Sequence, residues 1–454
     1  MRILLCSSYM GPGQPEPVVF PIGLGCIASN LADHELFCWN PNIEKNPMAE
    51  LCKILEEFSP DLVGVSLRNV DSVFSFAQRS YYDPFVSMIK IIKERAPSSK
   101  LIVGGAGFSI FAKEIMERNP AIDFGLVSEG ERAFANLLKN LDHPERVKNL
   151  ALRKEGGVFI SDKEEFIDFG SMPPPSREGF DLSKYKKYPY SIGIESKRGC
   201  SFGCVFCFQS FICGNHYRLR SSQKIVDEME KLVCEHGINE FFFVDPVFNA
   251  PPEHARAVCR EITRRNLKIK WKAEFRPDFL NAQFMKEAVE SGCELFDFSP
   301  DGASDYAMQV LGKNLHVTDV AKTVEWASKI ENAKVAYNFV YDLPSGNMGQ
   351  SYGLARLFMK IMSSCRCKLE FLSLTKMRIY PQTRLYQVAL REGRISADRS
   401  LIPPVYYERF PGKNPEDIFA HLLRVSSAGF AKVCKSSLFG TADLSKPMNR
   451  LTDP

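Results

Sequence analysis

Over roughly the first 140 residues, short unbroken apolar runs alternate with stretches of helical periodicity. The runs at 2–6, 62–66, 101–104 and 124–127 predict strands, and the patterns at 22–30, 49–58, 85–95, 112–118 and 133–140 predict the helices between them. Strands that are apolar throughout and alternate with helices imply a doubly wound parallel sheet covered on both faces. The rhythm returns after residue 190. Strands are predicted at 192–196, 241–244, 269–275, 295–299, 335–340 and 371–377, with helices at 222–234, 252–265, 282–291, 317–328 and 352–363. Six strand–helix repeats imply a partial (β/α)6 barrel. Between the two blocks, 150–153 and 158–161 flank Glu155-Gly156-Gly157 as a small hairpin, and the three prolines of 171–176 mark a linker that can continue neither helix nor central strand. The predicted architecture is α/β: a front sheet domain over 1–145, hairpin and linker over 146–185, the barrel over 186–390, and a C-terminal cap region over 391–454 with amphipathic helix at 413–435.

Composition narrows the class. The chain has 454 residues, 45% hydrophobic and 25% charged, with 58 basic against 54 acidic side chains. A net charge of +4 argues against a nucleic-acid partner. No run approaches the ~18 apolar residues needed to span a bilayer. No secretory leader pattern is visible, so no membrane partner and a cytoplasmic location are expected. Fourteen cysteines could form a disulfide scaffold, but Cys26, Cys52, Cys234, Cys259 and Cys293 sit singly within apolar segments and read as buried free thiols. Cys365 and Cys367 form a Cys-x-Cys pair without further ligands nearby in sequence, which leaves a second metal site as the weaker reading.

One group has ligand spacing. Cys200, Cys204 and Cys207 follow the first barrel strand in a loop punctuated by glycines. Three thiolates on one loop can wrap an iron–sulfur cluster and leave one iron open. The alternative is zinc, which prefers four ligands and would enlist Cys213. At the carboxyl ends of parallel barrel strands, where chemistry collects, stand Asp245, Glu274, Arg276, Ser299, Asp301, Asn338, Tyr341 and Arg378. Arg276 offers a planar fork to a carboxylate. Tyr341 and Asp342 are candidates for proton handling or substrate contact. Each could equally be a structural partner.

The cysteine spacing, with Phe206 before the last cysteine, resembles the motif of radical S-adenosylmethionine (SAM) enzymes. That resemblance implies a [4Fe–4S] cluster whose open iron chelates SAM, one-electron cleavage to a 5′-deoxyadenosyl radical, and an electron donor such as flavodoxin or ferredoxin. It further implies SAM contacts at Ser299 and Asp301, Asp245 facing the cluster side, and adenine held by backbone at 377–379. The Ser-Pro-Asp-Gly at 299–302 departs from the family's usual glutamate there.

The front third carries Ser66-Leu-Arg-Asn-Val-Asp71, Gly104-Gly105 followed by Ser109, and Ser128-Glu-Gly-Glu131 at strand ends. These segments, with Pro21-Ile-Gly-Leu24, resemble the cobalamin-binding domain in front of many radical SAM enzymes. The resemblance implies cobalamin contacts at Asn69, Gly104, Gly105, Ser109 and Glu129. There is no Asp-x-His-x-x-Gly run, and His34 and His143 lie outside these loops, so no histidine of that motif would ligate cobalt. The Ser-Leu-Arg-Asn segment is similar to that of the cobalamin-dependent tryptophan 2-C-methyltransferases, which implies Arg68 on the lower face of cobalamin; a helix-capping or ion-paired role beside Asp71 is the alternative. The leading expectation is methyl transfer to a carbon or phosphorus centre of a small-molecule or peptide substrate. The alternatives are a radical cyclase, rearrangement or coupling enzyme that transfers no methyl group, and a non-catalytic metal-sensing module.

Overall fold

The structure is a computed structural model that describes residues 1–13, 17–73, 75, 78–344 and 348–409. The cap-region pattern at 413–435 lies outside the described residues.

The front sheet contains β1 (Arg2–Ser7), β2 (Glu35–Trp39), β3 (Leu62–Ser66), β4 (Lys100–Gly104), β5 (Phe124–Leu126), β6 (Leu150–Lys154) and β7 (Gly157–Ile160). Their order is β2-β1-β3-β4-β5-β6-β7, with the first five parallel and the last two antiparallel. Ile3, Leu4, Leu5 and Cys6 are fully buried, because helices cover both faces of β1. Three features differ from the sequence reading. The strand β2 was not predicted: it is an edge strand whose Glu35 and Phe37 face outward, so its pattern lacks the continuous apolar run of its neighbours. The hairpin, predicted as a separate element, forms the last two strands of this sheet, with β6 pairing back onto β5. The helix predicted over 22–30 ends at Ala28. Strand order reverses at β1, so the crevice at the carboxyl ends of β1 and β3 is the topological place for a ligand.

After the linker comes β8 (Ile192–Ile194), then an antiparallel ribbon of β9 (Lys197–Arg198) and β10 (Arg218–Leu219) that brackets the cysteine loop. The barrel continues with β11 (Glu240–Phe243), β12 (Lys270–Phe275), β13 (Cys293–Asp301), β14 (Lys334–Val340) and β15 (Leu369–Thr375). These five and β8 form a six-stranded parallel sheet in sequence order, with β8 paired to β11 and β15 to β14 at its two edges and no pairing between β8 and β15. Strand periodicity sorts the side chains. On β12, Trp271, Ala273 and Phe275 are buried among aromatic neighbours such as Phe243, Phe248 and Phe296, while Lys272 and Glu274 alternate with them on the opposite, interior face.

The two sheets are not joined by a loose tether. Val205 and Ile212 of the cysteine loop, Leu311, and Met377, Ile379, Leu385 and Tyr407 pack in one apolar cluster with Leu4, Val63, Leu101 and Phe108 of the front domain. No helix among the described residues is long and apolar enough to cross a membrane.

Candidate functional site

The cysteine loop is fastened on three sides. At its base the amide of Cys200 donates to Gly214 O at 3.1 Å, and Gly199 has φ +89°, where a side chain would overlap the His216 carbonyl. Farther along, Val205 N donates to Leu311 O at 2.9 Å and Val205 O accepts from Leu385 N at 2.8 Å. Cys207 Sγ accepts from the Gln209 amide at 3.4 Å. Cys200 is buried, and Cys204 and Cys207 are partly so.

Every described cysteine is a free thiol, so no disulfide competes for the three. Burial raises the Cys200 thiol and pushes Cys207 up to about 12, and Cys204 adds a repulsion to each. The cations Lys313 and Arg276 counter it at Cys200, and Lys313 at Cys207. Thiols that would repel one another as anions, flanked by two cations and a backbone donor, suit a polynuclear iron centre that deprotonates them. No three His, Cys, Asp or Glu side chains among the described residues converge on a single ion. A cubane takes each thiolate at a different iron and needs no such convergence. The Cys213 thiol has Glu195, Arg198, Glu129 and Arg218 as its charged neighbours. Cys365 is buried and donates to Val324 O at 3.6 Å, whereas Cys367 is exposed; of the cysteines predicted buried, Cys234 is exposed and Cys52 half-buried.

Beside the loop, the strand ends form a polar interior. Ser299 Oγ donates to Glu274 Oε2 at 3.3 Å, Asn338 Nδ2 donates to Asp297 Oδ1 at 2.8 Å and Ser299 Oγ at 3.3 Å, and Ser373 Oγ donates to Asn338. Burial, reinforced by the Asp297 carboxylate, pushes Glu274 up to about 8, and burial pushes Asp297 up to about 6. Asp301, with φ +61°, pairs with Lys313, whose Nζ also donates to Ser299 O at 2.6 Å. Burial works against the Lys313 ammonium, but Asp301 and Cys204 outweigh it and leave it raised. Phe206 lies with its ring centre 5.7 Å from Lys313 Nζ. Arg276 pairs with Asp278 at 2.7 Å, lies 4.0 Å over the Phe202 ring and donates to Asn314 O at 3.2 Å, tying the end of β12 to the cysteine loop.

Other predicted residues are occupied by the protein itself. Asp245 accepts from the amides of Ser196 at 2.8 Å and Lys197 at 3.2 Å, and from Lys197 Nζ at 3.1 Å. Its carboxylate anchors the start of the cysteine loop. Arg378 clasps Asp71 and backbone carbonyls. Glu129 takes a two-pronged contact from Arg218 at 2.6 and 2.9 Å. Ser109 Oγ donates to Gly105 O at 2.8 Å and accepts from Ser128 N at 2.9 Å. Arg68 is exposed and Asn69 half-buried on the loop after β3. That loop is cradled by Gly104-Gly105 after β4: Gly105 has φ +97°, and a Cβ there would stand 2.6 Å from Leu67 O. No histidine lies in these loops, so a corrinoid there would be held by backbone and polar contacts. Tyr341 is buried at the end of β14, and its hydroxyl has no hydrogen-bond partner among the described residues. Asp342 accepts from Arg409 N at 3.2 Å.

Sequence reasoning missed Lys313, Lys197 and Asp297. Lys197 precedes Arg198-Gly199, a turn signal that marked the position; Lys313 and Asp297 lie far from the cysteines in sequence and carried no pattern.

Two segments of the chain match known domains. The Radical SAM superfamily matches residues 194–341, and the B12 binding domain matches residues 13–138. An uncharacterised methyltransferase of Pyrococcus horikoshii is 25% identical over 376 residues, covering 82% of this chain and 78% of that protein. The cytidylyl-2-hydroxyethylphosphonate methyltransferase of Streptomyces wedmorensis is 25% identical over 345 residues, covering 66% of this chain and 62% of that protein. The structure of the radical SAM methyltransferase TsrM from Kitasatospora setae, with cobalamin and a [4Fe–4S] cluster bound, has a TM-score of 0.75 at 18% identity, covering 92% of this chain and 84% of that one. A match to the B12 binding domain thus stands in front of a match to the Radical SAM superfamily, and the two regions pack in one shared core.

Proposed function

We propose that the protein transfers a methyl group to a carbon or phosphorus centre of a small-molecule or peptide substrate, with cobalamin in the front crevice and a [4Fe–4S] cluster on Cys200, Cys204 and Cys207. The observation that carries this reading is the apposition of the two sites. The loop after β3, at the topological switch point, meets the end of β15 at the barrel mouth: Ser75 N donates to Thr375 Oγ1 at 3.3 Å and Tyr406 OH donates to Ser72 O at 3.3 Å. When bound, the cluster with SAM supplies the methyl group and one-electron chemistry, and cobalamin supplies a methyl carrier.

The chain's own residues frame that chemistry. Arg276 and Lys313 place positive charge beside the thiolates. Glu274, protonated up to about pH 8, offers with Ser299 and Asn338 hydrogen-bonding groups for the ribose or methionine part of SAM. Arg68 and Asn69, on the loop after β3, would meet the lower face of a corrinoid held in that crevice. Tyr341 and Asp342 line the mouth as groups for proton handling or substrate contact. Packing of 376–407 against the front domain excludes water, which would quench a radical. The reducing partner is a flavodoxin- or ferredoxin-like donor in the cytoplasm.

Anaerobic reconstitution should give about four irons per chain, because three thiolates and one open site describe a cubane. Full cluster content in Cys204→Ala would remove the ligand assignment. Protein purified with cobalamin should carry one corrinoid per chain. Labelled SAM should yield S-adenosylhomocysteine; 5′-deoxyadenosine alone would favour a ring-closing or rearranging enzyme.

A further inference from the structure

The ribbon that brackets the cysteine loop sets Arg198 directly opposite Arg218. Like charges at facing positions of a strand pair are destabilising. Acids resolve the conflict here, and two of the three come from the other domain. Glu129 receives both prongs of Arg218, at 2.6 and 2.9 Å, and lies 3.4 Å from Arg198. Glu131 pairs with Arg198 at 2.7 Å, and Glu195 of the barrel side pairs with it at 2.9 Å. The Glu129 side chain is 6% exposed and that of Arg218 15%, so water does little of this neutralisation. Arg218 also donates to Cys213 O at 2.8 Å, and Ser128 Oγ donates to Ile212 O, so the same front-domain turn grips the far end of the cysteine loop.

The turn is linked in the other direction to the ligand crevice. Ser128 N donates to Ser109 Oγ, Ser109 Oγ donates to Gly105 O, and Gly105 lies against Leu67 O beside Arg68. Resting on the cobalamin reading above, we infer that Glu129 is a positioning residue rather than a cofactor contact. It holds the turn after β5 against the Arg198–Arg218 ribbon, and through it the occupancy of the front crevice and of the cysteine loop reinforce each other.

The test is a comparison of hydroxocobalamin affinity, by equilibrium dialysis, between cluster-free and anaerobically reconstituted protein. Wild type should bind at least about fivefold more tightly when the cluster is present, the lower end of ordinary site–site coupling. In Glu129→Gln that ratio should fall to about one. Amide hydrogen exchange in cofactor-free Glu129→Gln should accelerate across 199–217 and not in β13. Arg218→Lys, which keeps the charge and loses the fork, should behave likewise and serves if the first variant folds poorly. Equal cobalamin affinity of wild type with and without cluster, or an undiminished ratio in both variants, overturns the coupling. Absence of cobalamin binding in either state of the wild type overturns instead the cobalamin reading on which it rests.

Discussion

Arg378 and Asp71, 307 positions apart, meet in a buried ion pair across the two domains, with Nη2 at 2.7 Å and Nε at 3.1 Å from the same carboxylate oxygen. Their side chains are 3% and 0% exposed, and burial raises Asp71 against the lowering effect of the arginine. Desolvation thus consumes much of the attraction, but either partner left alone is an uncompensated interior charge. Arg378→Met should lower stability by about 3–5 kcal/mol in denaturant unfolding. Asp71→Leu in the same chain should restore part of it, and only part, because Arg378 also donates to Ile379 O at 2.7 Å. A single-variant loss below ~1 kcal/mol would mean that water reaches the pair.

Glu274 sets a pH dependence. Its proton leaves the unfolded chain in the ordinary carboxylate range but stays on the folded protein up to about pH 8, held by burial and by Asp297. The folded state binds the extra proton throughout that interval, so this group's stabilising contribution is complete below the ordinary range and is lost as pH rises to about 8. Cofactor-free Glu274→Gln should lose less stability than wild type between those limits in thermal melts at a series of pH values. Parallel curves would show that Glu274 ionises freely.

Tyr341 buries its hydroxyl without a partner among the described residues. Removing an unsatisfied buried group relieves about 1–3 kcal/mol. Tyr341→Phe should therefore stabilise the cofactor-free protein while lowering turnover of the loaded enzyme. Unchanged turnover would assign the residue to packing.

Lys313 places its ammonium among Asp301, Ser299 O and the Cys204 thiol. Withdrawing that positive charge disfavours the added electron, so Lys313→Gln should make the cluster's reduction potential more negative at unchanged iron content. An unaltered potential would show that the charge is not felt there.

What was legible in the chain was local. The unbroken apolar runs of β1, β3 and β4, the strand–helix rhythm of the barrel and the Cys-x3-Cys-x2-Cys spacing are all short-range signals, and the structure reproduces the strands and helices among them. The edge strand β2 escaped because its outward residues break the pattern. The two-residue strands of the ribbon are too short to show any period. Asp245, Arg378 and Glu129 were recognised as charged strand-end residues, but their partners lie tens to hundreds of positions away, and no sequence period reports an ion pair of that kind. Burial of a carboxylate at a strand end looks the same in sequence whether it awaits a ligand or grips its own backbone.

The barrel's two edge strands, β8 and β15, share no hydrogen bonds. Its girth is consequently not locked by strand number and stagger, as it is in a closed cylinder. The front domain touches both edges of this seam: Phe20 N donates to Ser191 O just before β8, and Ser75 N donates to Thr375 Oγ1 at the end of β15. Replacing residues along that seam alters the width of the chamber without costing a single ladder bond, so acceptors of different bulk can be fitted by tailoring one joint of an otherwise constant frame.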